Sequence, residues 1–234
     1  NQENINLDLP LGLISTDTRT IEKGNFFIPL VGNKFDGHEF LGIASDIGVQ
    51  AAIISEKFNG LIPIGLPHWI VPDTIEAFQK LVLLRRRKLN IPVVGITGSV
   101  GKTTTKEMMS EVLKPLGKLK STKFNFNNEI GAGLTILDAD QKDKIIILEM
   151  GMRGLGQIEN LSKFSEPDIA VITNIGSSHI GLLGSKENIT YAKCEITKHL
   201  NPKGVVIIPA NDLFLEETLK KNWNGRIIRV ELLD

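Results

Sequence analysis

The sequence predicts an α/β protein: a small N-terminal α/β domain followed by a larger doubly wound parallel sheet. Three observations carry that expectation. Residues 92–97, 144–150, 169–174, 205–210 and 226–231 are of strand length; all but the last, which is half charged, are largely apolar, the pattern of parallel strands buried on both faces. The stretches between them are long enough for crossover helices, and a doubly wound sheet is the simplest architecture for that alternation. Upstream of Pro92 the apolar runs are shorter and turn residues interrupt them.

Taken in order, residues 11–15 (LGLIS) and 26–31 (FFIPLV) read as the first two strands. Lys23-Gly24-Asn25 and Val31-Gly32-Asn33 are the turns that bracket the second. Residues 39–47 read as a helix closed by Gly48, and residues 51–55 (AAIIS) as a third strand. Asp73 is placed as an N-cap, with Glu76 in the capping-box position three residues on. Ile75, Phe78, Leu81 and Val82 supply that helix with an apolar face. Arg85, Arg86 and Arg87 fall in its last turn, where cations suit the helix dipole. They read as a solvated helix end rather than as a phosphate or nucleic-acid patch. Asn90-Ile91-Pro92 breaks the pattern, so the expected division is a first domain over 1–88 and a second over 89–234.

Composition excludes several function classes. Hydrophobic residues at 41% and charged residues at 23% are ordinary for a globular chain, not for collagen, coiled coil or a disordered polymer. Lys plus Arg and Asp plus Glu number 27 each, so no net field favours nucleic acid or an anionic membrane surface. No apolar run approaches the ~20 residues of a membrane span. No signal peptide is visible, and the single cysteine, Cys194, allows no intrachain disulfide.

The densest chemical signal is residues 95–108 (GITGSVGKTTTKEM), a buried strand running through a glycine turn into a helix. Gly98 and Gly101 permit backbone conformations and close approaches that a side chain would block. Freed N–H groups around Ser99 and Val100, together with the helix N-terminus, then cradle phosphate oxygens. Lys102 adds a positive charge near the β/γ-phosphates, Thr103 offers a hydroxyl to Mg²⁺, and Thr104 follows. Ile96 stands where the strict pattern has its first glycine, which leaves Gly98-x-x-Gly101-Lys102-Thr103-Thr104 as the core. On this reading the second domain is a P-loop domain that binds ATP or GTP. Glu149, at the C-terminal end of the strand 144–150, stands where carboxylates coordinate a nucleotide's Mg²⁺ directly or through water.

Three further stretches go beyond nucleotide binding. Residues 124–131 (FNFNNEIG) gather asparagines, among them Asn127 and Asn128, beside a glutamate. Residues 173–185 follow another strand end and hold His179. On a helix through 191–196, Ile189, Ala192, Ile196 and Leu200 form an apolar stripe, and Lys193 falls on it. A lysine on a buried face is costly unless its charge is removed or paired. One reading is a snorkelling side chain with its amine in water. The other is a neutral amine of depressed pKa that reacts with CO₂, giving a carbamate whose oxygens can bind Mg²⁺. Cys194 has no nucleophile arrangement around it and reads as a small buried filler. His68 and His199 read as ordinary histidines.

With these stretches in view, the chain resembles the Mur ligases. Residues 15–40, TGSVGKTTTKEM, NFNNEIG, LEMGMRGLGQI (148–158) and residues 173–196 carry the resemblance, which runs from about residue 15 to about residue 209. The phosphate loop is shared by all Mur ligases and by folylpolyglutamate synthases. NFNNEIG together with EMGMRGLGQI is particular to the branch that adds D-Ala-D-Ala. The resemblance implies a cytoplasmic, monomeric, ADP-forming amide ligase of peptidoglycan synthesis. Its cofactors are ATP and Mg²⁺; its substrates are UDP-N-acetylmuramoyl tripeptide and D-Ala-D-Ala. ATP phosphorylates the tripeptide carboxylate to an acyl phosphate, which the dipeptide amine then attacks.

Position by position, the resemblance implies ATP contacts from Gly98, Ser99, Val100, Gly101, Lys102, Thr103 and Thr104, with Lys102 as the phosphate-loop lysine. Thr103 and Glu149 match ligands of a first Mg²⁺, and His179 a ligand or neighbour of a second. Lys193 matches a lysine carried as a carbamate. Asn127 and Asn128 line the nucleotide and metal site, with the contacting residue left undecided. In the first domain Thr16, Asp17, Thr18 and Arg19, with Asp36, Gly37 and His38, match loops that hold the UDP end of the substrate. By the residues alone they read equally as capped turns. Phe124-Asn125 before NFNNEIG's phenylalanine and Ala132-Gly133 after its glycine depart from the usual pattern.

Two alternatives stand beside this reading: another amide ligase of the superfamily or a folylpolyglutamate synthase, and a nucleotide switch that joins no substrates. The guanine-reading N/T-K-x-D tetrapeptide would support the switch. The family has three domains. The sequence therefore reads as part of a longer protein, with an incomplete second domain and no third, holding the phosphate and metal residues but little ligase activity alone.

Overall fold

The computed structural model describes residues 12–32, 35–123 and 126–231, in two compact units, Asn1–Leu81 and Val82–Asp234. The first unit holds a four-stranded, all-parallel sheet in the order β1 (Ile14–Ser15), β2 (Phe26–Phe27), β3 (Ala51–Ser55), β4 (His68–Val71). Helix α1 (Leu41–Ile47) follows a 3₁₀ turn at Gly37–Phe40 and ends at Gly48, whose φ of 86° closes it in the left-handed region. Phe27, Leu41, Ala44, Ala52 and Ile54 form the buried core between helix and sheet.

Three strands of this unit depart from expectation. Of the run 11–15, only Ile14–Ser15 is strand among the described residues. The run 26–31 is strand only at Phe26–Phe27, because Pro29 has no amide hydrogen to continue a ladder, and the chain turns into a Val31–Asp36 bridge. β4 was not anticipated; it is four residues between Pro67 and Pro72, and as an edge strand it tolerates both prolines.

Helix α2 (Thr74–Leu89) starts where Asp73 Oδ1 accepts from Ile75 N at 2.7 Å and Glu76 N at 2.9 Å. Phe78 and Val82 are buried as the spacing requires, whereas Ile75 is exposed. The solvated-end reading fails for Arg86. Its guanidinium is buried and donates to Ser165 O at 2.7 Å, Glu166 O at 2.9 Å, Ile91 O at 3.2 Å and Asp168 Oδ2 at 2.7 Å. Arg85 donates to Ala139 O, and Arg87 reaches Glu166 Oε1 at 2.6 Å. Periodicity puts a cation in the last turn but does not show which carbonyls it will meet. For Arg86 two of them, Ser165 O and Glu166 O, are C-terminal carbonyls of a later helix, which lack intrahelical partners. These last turns of α2, from Val82 on, belong to the second unit.

That unit is a six-stranded sheet, every neighbouring pair parallel. Its strands are β5 (Val93–Thr97), β6 (Leu119–Ser121), β7 (Ile145–Glu149), β8 (Ile169–Ile172), β9 (Val205–Pro209) and β10 (Arg226–Val230), in the order β10-β9-β8-β5-β7-β6. All five residues of β5 and of β7 are buried, as their apolar composition requires. β6 was not anticipated: Leu-Lys-Ser is short, half-buried and polar. Helices α3 (Lys102–Leu113), α4 (Glu129–Leu137), α5 (Gln157–Ser165), α6 (Ile180–Leu183), α7 (Lys186–Cys194) and α8 (Leu213–Asn222) lie between strands. β5 sits between β7 and β8, so the chain reverses its direction of winding there. The loops after these three strands open at the C-terminal edge of the sheet, where such folds bind ligands. Among the described residues no helix is long and apolar enough to cross a membrane.

Candidate active site

The corner after β5 is built by two glycines and by the loop after β8. Gly98 has φ 151°, and a Cβ there would stand 1.9 Å from Thr173 Oγ1. Gly101, at φ 80°, is the N-cap of α3. Asn174 takes two amides of the corner: Ser99 N donates to its carbonyl and Val100 N to its Oδ1, each at 3.1 Å. Thr173 Oγ1 and Asn174 Nδ2 donate to Val100 O at 2.6 and 3.0 Å, and Gly176 N donates to Ser99 Oγ at 2.8 Å. The cradle left for an anion is therefore the N-terminus of α3, whose first amides have no intrahelical acceptor. Thr173, Asn174 and Gly176 were missed as site residues. Their signal lies in sheet order, which puts β8 beside β5. Lys102 folds over the corner, its Nζ 2.8 Å from Gly98 O. Burial lowers its pKa, opposed by the charge of Glu149.

Glu149, buried at the end of β7, brings the acid to this corner. Its Oε2 accepts from Thr103 Oγ1 at 2.7 Å and its Oε1 from Asn127 Nδ2 at 2.9 Å. Gly151 N returns to Asn127 O at 2.8 Å. Asn128 does something else: its Oδ1 accepts from Gly131 N at 2.9 Å and caps α4. The two asparagines thus separate into one that faces the acid and one that starts a helix. Thr104 is exposed in the first turn of α3, and Phe124-Asn125 lie outside the described residues.

These groups border a cavity of about 730 Å³ lined by Gly98, Lys102, Asn127, Asn128, Arg153, His179 and Lys193, among others. His179 starts α6 with φ 68°. Lys193 lies in α7, whose N-cap Ser185 accepts from Asn188 N. At 1% exposure it is not a snorkelling side chain. Desolvation first, and then the charge of Lys102, push its pKa down to about 8. The neighbouring Cys194 is pushed up to about 12 by burial, then by Asp212 and Glu195, so it is an inert thiol, as expected.

Among the described residues no three His, Cys, Asp or Glu side chains cluster as a metal site. The Thr103 hydroxyl and Glu149 carboxylate are hard oxygen donors, which fit Mg²⁺ completed by phosphate and water better than a thiolate- or imidazole-seeking metal. Lys193 could join such a set only as a carbamate.

In the first unit both matched loops are capped turns. Asp17 Oδ1 accepts from Arg19 N at 2.9 Å, and Arg19 Nη2 closes on Oδ2 at 2.5 Å; this bond to Arg19 holds the Asp17 carboxyl below its usual range. Thr16 and Thr18 are half-buried beside it. Asp36 Oδ1 accepts from His38 N at 2.9 Å and meets His38 Nδ1 at 2.5 Å. His38 Nε2 accepts from Ser55 N at 2.9 Å, so the ring carries its proton on Nδ1 and both nitrogens are engaged inside the protein. A Cβ on Gly37 would stand 2.8 Å from the Leu30 backbone. The tetrapeptide Asn33-Lys34-Phe35-Asp36 has the N-K-x-D form of guanine readers. It precedes the phosphate loop, residues 33–34 lie outside the described residues, and its Asp36 Oδ1 is the cap just described.

A family model described as the Mur ligase middle domain matches residues 96–232. The chain belongs to the Mur ligase family. Among its Mur ligase relatives, the UDP-N-acetylmuramoyl-tripeptide–D-alanyl-D-alanine ligase of Synechocystis is 40% identical over 96% of this chain and 49% of its own length. The Bacillus subtilis enzyme of the same name is 43% identical over 87% of this chain and 44% of its own. The MurF ligase of Thermotoga maritima, solved in complex with ADP, superposes with a TM-score of 0.83 at 30% identity, covering 94% of this chain and 50% of that one. The chain thus spans about half the length of the curated relatives it matches.

Proposed function

We propose that the chain supplies the nucleotide and acceptor-activating site of an ATP-dependent, ADP-forming ligase that joins D-Ala-D-Ala to UDP-N-acetylmuramoyl tripeptide. The observation that carries this reading is the convergence of Lys102, Asn127, His179 and Lys193 on one cavity, with Glu149 and Thr103 bonded to each other beside it. The names of the relatives support the substrate assignment.

On this reading the α3 N-terminus and Lys102 bind the β- and γ-phosphates and offset the charge that develops as the phosphoryl group moves to the tripeptide carboxylate. Thr103 and Glu149 would hold Mg²⁺, with His179 and a carbamylated Lys193 beside a second ion; bound metal supplies charge neutralisation and alignment of carboxylate with phosphate. Carbamylation joins the neutral Lys193 nitrogen to the carbon of CO₂, and the nitrogen releases one proton to solvent. Burial that lowers the amine's pKa raises the neutral fraction that can react. The dipeptide amine then displaces phosphate from the acyl phosphate. In the first unit, the exposed guanidinium of Arg19 and the Thr16–Thr18 turn are the groups left to meet the UDP end, since His38 is engaged internally. We place the ligase in the cytoplasm, where ATP is available.

Calorimetric titration of ATP, ADP and GTP tests the nucleotide reading. Adenine nucleotides should bind in preference to GTP, and Lys102→Ala should weaken ADP on the order of 10–100-fold. Preference for GTP would overturn it. In the ligase that contains this sequence, phosphate release should require both substrates. Turnover with a single amino acid and a dipeptide acceptor would sink the D-Ala-D-Ala assignment. Lys193→Ala should abolish ligation and leave ADP binding largely intact.

A further inference from the structure

A second buried lysine lies outside the machinery just described. Lys106 is 1% exposed and sits one helical turn from Thr103 on α3. Its Nζ donates to Thr122 O at 2.7 Å and meets Glu107 Oε1 at 2.9 Å. Thr122 follows β6 directly and is itself buried. Its N–H donates to Ile147 O at 3.0 Å, and its hydroxyl accepts from Glu149 N at 3.0 Å. The β6–β7 register ends at Ser121–Ile147, while Met150 N is taken by Ile96 O on the β5 side. Glu149 N therefore points past the end of β6, where the Thr122 hydroxyl stands in for the missing strand. The same glutamate's carboxylate meets Thr103 and Asn127.

We propose that Lys106 and Thr122 are positioning residues: the lysine anchors the Thr122 carbonyl, and the Thr122 hydroxyl fixes the backbone of Glu149 so that its carboxylate is aimed at the phosphate-loop corner. The proposal rests on the reading of Glu149 as the Mg²⁺-holding acid. A threonine that merely ended a strand would not need its hydroxyl on the acid's own amide, and the Thr122 hydroxyl stands there.

The test measures ADP affinity with and without Mg²⁺ by calorimetry, and exchange of the Glu149 amide hydrogen by NMR, in the parent, Thr122→Val, Thr122→Ser, Lys106→Met and Glu149→Gln. In Thr122→Val the tightening of ADP by Mg²⁺ should fall on the order of 10-fold, while ADP affinity without Mg²⁺ stays within about twofold. Glu149 amide exchange should quicken in the same variant. Thr122→Ser keeps the hydroxyl and should restore both. A folded Thr122→Val with the parent's Mg²⁺ effect and amide protection overturns the proposal. If the parent shows the Mg²⁺ effect and Glu149→Gln keeps it, the metal reading of Glu149 fails instead, and the positioning claim is decided by amide exchange. Should Thr122→Val not fold, Lys106→Met cuts the same chain at its carbonyl and is judged on the same two readouts. If neither folds while Thr122→Ser does, the pair only determines the fold and the proposal is overturned.

Discussion

Helices α3 and α7 each bury a lysine to 1% exposure, and the two lysines have opposite surroundings. Lys106 is bonded to a carbonyl and a carboxylate. Lys193 has no ion-pair partner among the described residues and borders a cavity; burial first, and then the charge of Lys102, depresses its pKa. Burial alone therefore does not mark a reactive lysine; the partner set does. A paired cation stabilises the fold and is held in one place, whereas an unpaired one costs stability and is available for chemistry.

The largest effect expected on that contrast comes from a third buried cation. Arg86→Met should lower unfolding free energy by ~3–5 kcal/mol, because Asp168 and the α5 carbonyls lose their partner. Denaturant unfolding checks this, and a loss under about 1 kcal/mol would return Arg86 to the class of solvated helix ends.

Lys193→Met should have the other sign. The folded pKa is about 8, against 10.5 for the ordinary side chain. Below about pH 8 both folded and unfolded states hold the proton, and the penalty for burying the charge is complete. Between about 8 and 10.5 the folded state has released its proton while the unfolded state has not, so parental stability rises with pH. In CO₂-free buffer the substitution should therefore stabilise the chain by up to roughly 3 kcal/mol below pH 8 and by little above pH 10.5. A gain that stays flat across that range would trace to packing rather than charge.

Lys106→Met should destabilise by about 1–3 kcal/mol, the cost of leaving the buried Thr122 carbonyl without its donor. Equal signs for the two lysine variants would break the comparison. The smallest perturbation is chemical. Brief acetylation of the native chain, mapped by mass spectrometry, should label Lys193 with a midpoint near pH 8 and leave Lys106 unlabelled. Labelling of both together would show that α3 opens as readily as α7.

Much of the site could be read without coordinates because its signals are local. A strand, a glycine corner and Lys102-Thr103 are contiguous; Glu149 ends an apolar run; Lys193 breaks a helical stripe that spans only a few turns. The fold class follows from the same kind of signal, four apolar runs and a half-charged fifth with helix-length spacers. β4 and β6 escaped because three or four residues with polar members have no period to detect. Arg86 stands four residues after Val82 and eight after Phe78, on the apolar face of its helix, so its burial was legible; the carbonyls it meets were not, because a later helix end supplies two of them.

The sequence alone determined which groups could carry the chemistry: a phosphate loop, an acid at a strand end and a lysine on the wrong face of a helix. Tertiary structure alone decided how they are held. Asn127 rather than Asn128 meets Glu149; Thr173 and Asn174 brace the glycine corner; Lys106 reaches Glu149 through Thr122; His38 turns both nitrogens inward. Most of these are hydrogen bonds between segments far apart in the chain, and the sheet order β8-β5-β7-β6 is what brings those of the second unit together. Periodicity and spacing report only a residue's own helix or strand, so a partner contributed by another strand's end is visible only once the sheet is assembled.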